Sequence, residues 1–136
     1  MAIHTPPKDE TIVMTEDDLA LLTTAMPADT NPAGDIFGGW MMAQMDLGAG
    51  SVAQRFAKGR CVTIAVDAFQ FHVPVHVGDE VSVYARIVHV GRTSLKLKVI
   101  TYRRLRFGED KQKVTEAFFT FVALDENAKP RAILRD

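Results

Sequence analysis

The sequence predicts a single α+β domain in which one long central helix is wrapped by an antiparallel sheet. Three observations carry that expectation. Apolar residues recur at helical spacing from Ile36 to Phe56. Beyond Gly59 the texture changes to short segments rich in Val, Ile, Phe and Thr. The turns between those segments are too short for parallel crossovers, which need roughly a dozen residues or more. The chain has 136 residues, 47% hydrophobic and 24% charged, which excludes a disordered or fibrous protein and suits one core.

Taken in order, residues 1–18 read as an amino-terminal tail, with Pro6, Pro7 and scattered charges offering little to bury, and residues 19–136 read as the domain. Leu19 to Ala25 is short, apolar and closed by Pro27, which favours a strand. The run Ala28-Asp29-Thr30-Asn31-Pro32-Ala33-Gly34-Asp35 consists of turn formers, and Asp35 is placed to cap the helix that follows. That helix is apolar on several faces, from Ile36, Phe37 and Trp40 to Val52 and Phe56, so it is expected to be buried nearly all round. Gly48 and Gly50 would let another backbone come close. Strands are expected at about 61–73, 79–90, 93–104 and 113–124, meandering through Val77-Gly78-Asp79, Val90-Gly91-Arg92 and Gly108-Glu109-Asp110. Residues 117–123 are apolar on both alternating faces. One face can cover the helix, and the other calls for a further cover, for which a second subunit is the economical candidate.

Composition narrows the function. Lys and Arg number 16 against 17 Asp and Glu, a net charge of -1, so the broad positive field of a nucleic-acid binder is missing. No apolar run approaches the ~18 residues of a membrane span, and the start has no leader-like pattern. A single cysteine, Cys61, excludes an internal disulfide or a Cys-built metal site and fits a reducing compartment, with the cytoplasm as the default.

Two features carry chemistry. Asp46 sits mid-helix, with Met42, Ala43, Ala49 and Gly50 one turn away and Gly39 and Ala53 two turns away, none able to pair with it. It is either a catalytic acid or a carboxylate that faces solvent or bonds a backbone amide. In Gly34-Asp35-Ile36-Phe37-Gly38-Gly39-Trp40, the two glycines leave first-turn amides unobstructed where the helix dipole favours negative charge. They form either an oxyanion site or a capped helix whose glycines allow close packing. Asp46 lies eight residues beyond Gly38, about 12 Å along the axis, too far for one carbonyl to touch both. Antiparallel helices from two subunits would bring the glycine end of one to Asp46 of the other.

The pieces Ala25-Met26-Pro27, Asp29-Thr30-Asn31, Gly34 to Trp40 and Gln44-Met45-Asp46 resemble the hotdog-fold acyl-CoA thioesterases of the YciA-like type. Gly59-Arg60 with Val62-Thr63, Val77-Gly78-Asp79, Gly91-Arg92-Thr93-Ser94 and the strand from Thr115 to Ala123 extend the resemblance over about residues 19–134. It implies a double-hotdog dimer, commonly assembled as a trimer of dimers, acting on acyl-CoA and releasing CoA without a cofactor. By the same resemblance Asp46 is the catalytic acid, as general base or nucleophile. Asp35 is its polar partner across the interface, and the Gly38 and Gly39 amides polarise the thioester carbonyl. Asn31, Thr63, Arg92, Thr93 and Ser94 are the substrate-binding candidates, with Lys96, Arg103, Arg104 and Arg131 behind them for the nucleotide phosphates. Lys96, Lys98 and Arg104 alternate, however, and read more readily as a solvated strand face.

Other signals are discounted. No G-x-S-x-G elbow exists, and Ser51 falls inside the helix. His72 and His76 lie on a strand segment interrupted by Pro74, and four strand residues span about 13 Å, so they should not share a metal. Cys61 has no evident base, and Met41, Met42 and Met45 suit core filling. Two alternatives remain: a hotdog dehydratase, which would need a His–acid pair with His72 as its only core-strand histidine, and a noncatalytic acyl-CoA-binding module.

Overall fold

The computed structural model describes residues 12–134. Five strands and one helix form it: β1 (Leu19–Thr24), α1 (Gly38–Ala57), β2 (Cys61–Phe71), β3 (Glu80–Val90), β4 (Ser94–Arg104) and β5 (Lys111–Ala123). Every pairing is antiparallel, and the sheet order is β1-β3-β4-β5-β2. The α+β architecture and all five strands agree with the sequence reading. Of the segment read as a tail, residues 1–11 lie outside the described residues, whereas the Val13 carbonyl and the Asp18 carboxylate are both held by Arg86 of β3.

Two local expectations need correction. The helix begins at Gly38 rather than Ile36, because Ile36 is drawn into a bridge with Thr30 and the Phe37 amide donates to the Asp29 carbonyl. Phe37 therefore occupies the N-cap position with an extended backbone, and Asp35 caps nothing. The meander is also incomplete. β3, β4 and β5 follow one another, but β2 and β3 are consecutive in sequence and lie at separate places in the sheet, with β2 paired only to β5. The connecting residues 72–79 contain Pro74, which has no N–H to give a ladder. They pass below the tip of α1, where Val75 packs with Met41, Val81 and Val114.

The sheet curls around α1, which touches β1 to β5. Met45, Ala49, Ala53 and Ala57 recur every fourth residue and pack on Val83, Leu97, Val99, Phe119 and Phe121. Gly48 explains the close approach. A Cβ there would lie 3.0 Å from Val83 Cγ1 and 3.4 Å from the Ala20 Cβ. The expectation of a helix buried all round fails within one chain: Met42 and Phe56, near its two ends, and Leu47, on the side away from them and 63% exposed, are left uncovered.

On the opposite side of the sheet, the reading of Lys98 as part of a solvated strand face is overturned. Its side chain is 1% exposed, with the ammonium 3.1 Å from Glu116 Oε1 and 4.6 Å from the Phe118 ring centre. A buried ammonium is tolerable because a carboxylate and an aromatic face replace water. Phe118, one of the residues expected to need a partner's cover, is thus already buried under Lys96 and Lys98.

The carboxyl-terminal segment closes the helix end. Arg131 donates from Nη2 to the Ala57 carbonyl and from Nε to the Leu124 carbonyl, satisfying an orphan acceptor of the last helical turn. Lys58 ends the helix in the left-handed region at φ 55°.

Candidate active site

Asp46 lines a cavity of about 340 Å³ that Gly39, Met42, Ala43, Thr63, Val66 and Phe119 complete. The nearest polar group is on β2: Thr63 Oγ1 donates to Asp46 Oδ1 at 2.5 Å. Helix and strand together therefore fix the carboxylate, one oxygen held by the hydroxyl and the other left for chemistry. Of the alternatives open for Asp46, neither full solvation nor a bond to a backbone amide describes it. The residue is half-buried, and its partner is a side chain that the sequence reading had assigned to substrate.

The helix tip opens into a different cavity of about 470 Å³, lined by Asp35, Gly38, Met41, Phe71, His72 and Val114 among others. Gly38 has the Phe71 ring against it, and a Cβ would lie 3.2 Å from Phe71 Cζ, so the backbone itself forms this wall. At Gly39 a Cβ would meet nothing within 4 Å. The amides of Gly38 and Gly39 precede the first intrahelical bond, which the Met41 amide makes to the Phe37 carbonyl. Both glycine amides are accordingly available to an anion or a carbonyl oxygen at the positive end of the helix dipole.

Asn31 organises the loop before this tip. Its Oδ1 accepts from the Ala33 and Asp35 amides, each at 3.0 Å, and its own amide donates to the Asp35 carbonyl. Gly34 takes φ 89°, which a side chain would resist. Asp35 is thereby held at the rim of the larger cavity with its carboxylate exposed.

Arg92, Thr93 and Ser94 form the β3–β4 turn, at the far end of the sheet from the helix tip. Ser94 lies opposite Val122 of β5, whereas Val114 of the same strand lines the tip cavity. Eight strand residues separate those points, about 26 Å. Arg92 remains exposed. The other basic candidates are committed internally: Arg103 to Gln112 and the Pro74 carbonyl, Arg104 to Glu80 and the Gly108 carbonyl, and Arg131 to the helix end. Within one chain, then, Gly39 borders the Asp46 cavity and Gly38 the other, eight helical residues separate Gly38 from the carboxylate, and the Arg92 turn stands apart from both.

One pair escaped the sequence reading. His72, just past the end of β2, donates from Nε2 to Glu116 Oε2, and the same carboxyl group takes Lys98 on its other oxygen, with Lys113 3.6 Å away. The available signal was Glu116 itself, an acid inside the apolar run of β5. Its partners lie 44 and 18 residues away, and no spacing rule joins them. Among the described residues no group of His, Cys, Asp and Glu could hold a metal ion, and no helix is long and apolar enough to cross a membrane. At Cys61, burial pushes the thiol above its ordinary pKa, a shift that the nearby Arg131 charge opposes without cancelling, which disfavours a thiolate.

Comparison with known proteins agrees with this geometry. Residues 33–104 match the thioesterase superfamily family model. The acyl-CoA thioester hydrolase YciA of Escherichia coli is 47% identical over 121 residues, covering 87% of this chain and 92% of that protein. An acyl-CoA thioester hydrolase of Zymomonas mobilis, itself described as uncharacterized, is 51% identical over 111 residues, covering 82% of this chain and 74% of its own. Among solved structures, a hexameric broad-specificity acyl-coenzyme A thioesterase superposes with a TM-score of 0.84 at 44% identity, covering 94% of this chain and 88% of that one. An acyl-CoA hydrolase of Staphylococcus aureus, in complex with butyryl coenzyme A and coenzyme A, gives 0.77 at 29% identity over 83% and 69% of the two chains. A helix tip with two open glycine amides, a carboxylate fixed halfway along the same helix and relatives matched over most of their length lead to one conclusion: the chain belongs to the thioesterase superfamily, as a hotdog-fold acyl-CoA thioester hydrolase of the YciA type.

Proposed function

We propose that this protein hydrolyses acyl-CoA thioesters to free coenzyme A and a carboxylic acid at composite sites shared by two copies of the chain. The observation that carries the reading is Asp46, fixed by Thr63 in the wall of a cavity with its other carboxylate oxygen unengaged among the described residues. A thioester has little resonance stabilisation and a good leaving group. A positioned carboxylate with one or two oxyanion donors therefore suffices without a Ser–His pair.

The pairing is argued from the edge of the sheet. β2 is an edge strand with Val62 and Ile64 exposed, and the uncovered Met42 of α1 shares a cavity with its Thr63 and Val66. Antiparallel pairing of β2 with its copy would cover this face. It would also bring the Gly38-Gly39 tip and Asp35 of one chain to Asp46 of the other. The Arg92-Thr93-Ser94 turn would approach the same tip, where it suits coenzyme A phosphates. Asn31 acts by holding Asp35 in place. Relatives described as hexameric support a trimer of such dimers. We assign the chemistry to residues 19–136 and no role to residues 1–18. The cytoplasm is the setting that the lone Cys61 thiol suits.

Replacing Asp46 by Asn tests the assignment. Released thiol should fall by roughly 10²- to 10⁴-fold with assembly intact, and an unchanged rate defeats it. Asp46 and Asp35 variants, each inactive alone, should regain activity after verified subunit exchange if the sites are composite. One observation favours the dehydratase alternative: the His72–Glu116 pair is the kind of group it would need. A saturated acyl-CoA distinguishes the two, because it can be hydrolysed but neither hydrated nor dehydrated.

A further inference from the structure

The larger cavity is apolar except at two points. Met41, Phe71, Val75 and Val114 supply hydrocarbon, while Asp35 and His72 supply polar side-chain atoms to a lining that the Gly38 backbone shares. A mainly apolar pocket with a few convergent polar groups fixes how its ligand lies. His72 is not there by default. Glu116 accepts the hydrogen bond from its Nε2, and that carboxylate is itself anchored by buried Lys98, so the imidazole is held from behind by a fixed network. Its side chain is 37% exposed. Its other nitrogen, Nδ1, has no partner among the described residues.

With Nε2 committed as a donor, Nδ1 accepts a hydrogen bond when the ring is neutral and donates one when it is protonated. A hydroxyl group satisfies either state, because it both donates and accepts. When the ring is protonated and Nδ1 donates, the hydroxyl's own proton is left for the Asp35 carboxylate. A carboxylate-bearing acyl group would instead meet the Asp35 charge, and a plain alkyl chain would cover Nδ1 without pairing it, at a desolvation cost. Gly38 touches the ring of Phe71, the residue before His72. The polar point therefore stands next to where the thioester carbonyl would rest.

We propose that His72 is a specificity-determining residue that favours acyl-CoA substrates carrying a hydroxyl group close to the thioester. The inference rests on the hydrolase reading and deepens it by naming the acyl class. Glu116 acts through His72 as its positioning residue.

The test compares thiol release from 3-hydroxybutyryl-CoA and butyryl-CoA for the wild type, His72→Leu and His72→Asn. The wild type should show the higher kcat/KM on the hydroxy ester. His72→Leu should lower the ratio of the two kcat/KM values about tenfold, the scale of one lost hydrogen bond. His72→Asn, which keeps a polar tip, should retain part of the preference. A purely structural role would depress both esters alike, so a ratio equal to wild type in both variants overturns the inference alone. Thiol release from neither ester in the wild type overturns the hydrolase reading and this inference with it.

Discussion

Replacing Gly48 by Ala probes the closest contact between helix and sheet. In an open helix the change would stabilise by about 1 kcal/mol, because glycine loses more backbone entropy on folding. Here the new methyl would stand 3.0 Å from Val83 Cγ1, 3.4 Å from the Ala20 Cβ and 3.5 Å from the Leu21 Cβ. All three atoms sit close to strand backbone, Val83 is fully buried, and comfortable carbon contacts lie near 3.5–4.0 Å, so α1 must lift by roughly 0.5–1 Å. Overpacking of this kind costs about 1–3 kcal/mol, and near its upper end the helix gain leaves a net loss of about 1–2 kcal/mol. For a chain of this length that is a fall in Tm of roughly 3–10 °C. Thermal unfolding followed by far-ultraviolet circular dichroism measures it, with Gly39→Ala as control. At Gly39 the methyl meets nothing within 4 Å, so stability should hold or rise while thiol release falls, since the methyl enters the Asp46 cavity. A Gly48→Ala protein as stable as wild type would refute the packing reasoning.

Two further outcomes follow from charge. Lys98→Ala leaves Glu116 buried without its ammonium, and a loss of about 3 kcal/mol is expected, because Lys113 and His72 still face the carboxylate. Denaturant titration checks this, and a loss below about 1 kcal/mol would contradict the burial argument. At Asp18, burial pushes the carboxyl up, but hydrogen bonds from Arg86 and the Thr15 amide, with the guanidinium charge, bring it below its ordinary value of 3.8. A lowered folded pKa means that Asp18 contributes stability above the unfolded value and loses it as pH falls through the folded one. The stability gap between wild type and Asp18→Asn should therefore be full at neutral pH and close on acidification below about pH 4; a gap constant with pH would rule the ion pair out as its source.

Much of the fold was legible because it is written in local periodicities. The alternation in β2 to β5 and the helical spacing after Gly38 are properties of short windows, and their boundaries are right within a few residues. Asp46 was legible for a related reason: an acid among Met42, Ala43, Ala49 and Gly50 has no local partner. What could not be read depended on which strands become neighbours. The pairing of β2 with β5 sets Thr63 beside the helix carboxylate and His72 beside Glu116, and neither follows from spacing. Lys98 shows the same limit. Alternation correctly put it on the outer face, but its burial comes from Glu116 and Phe118 on the adjacent strand. Asp35 failed as a cap because Asn31 and Thr30 had already recruited its surroundings into a loop.

The strand order also governs how the chain matures on the ribosome. β2 ends at Phe71, and its only partner in the chain begins at Lys111, so 40 residues must be translated before the ladder can start. At about 5–20 residues per second this is a wait of roughly 2–8 s. Until then β2 has no ladder to join, and Ala49 and Ala53 of α1 lack the Phe119 and Phe121 wall that β5 supplies.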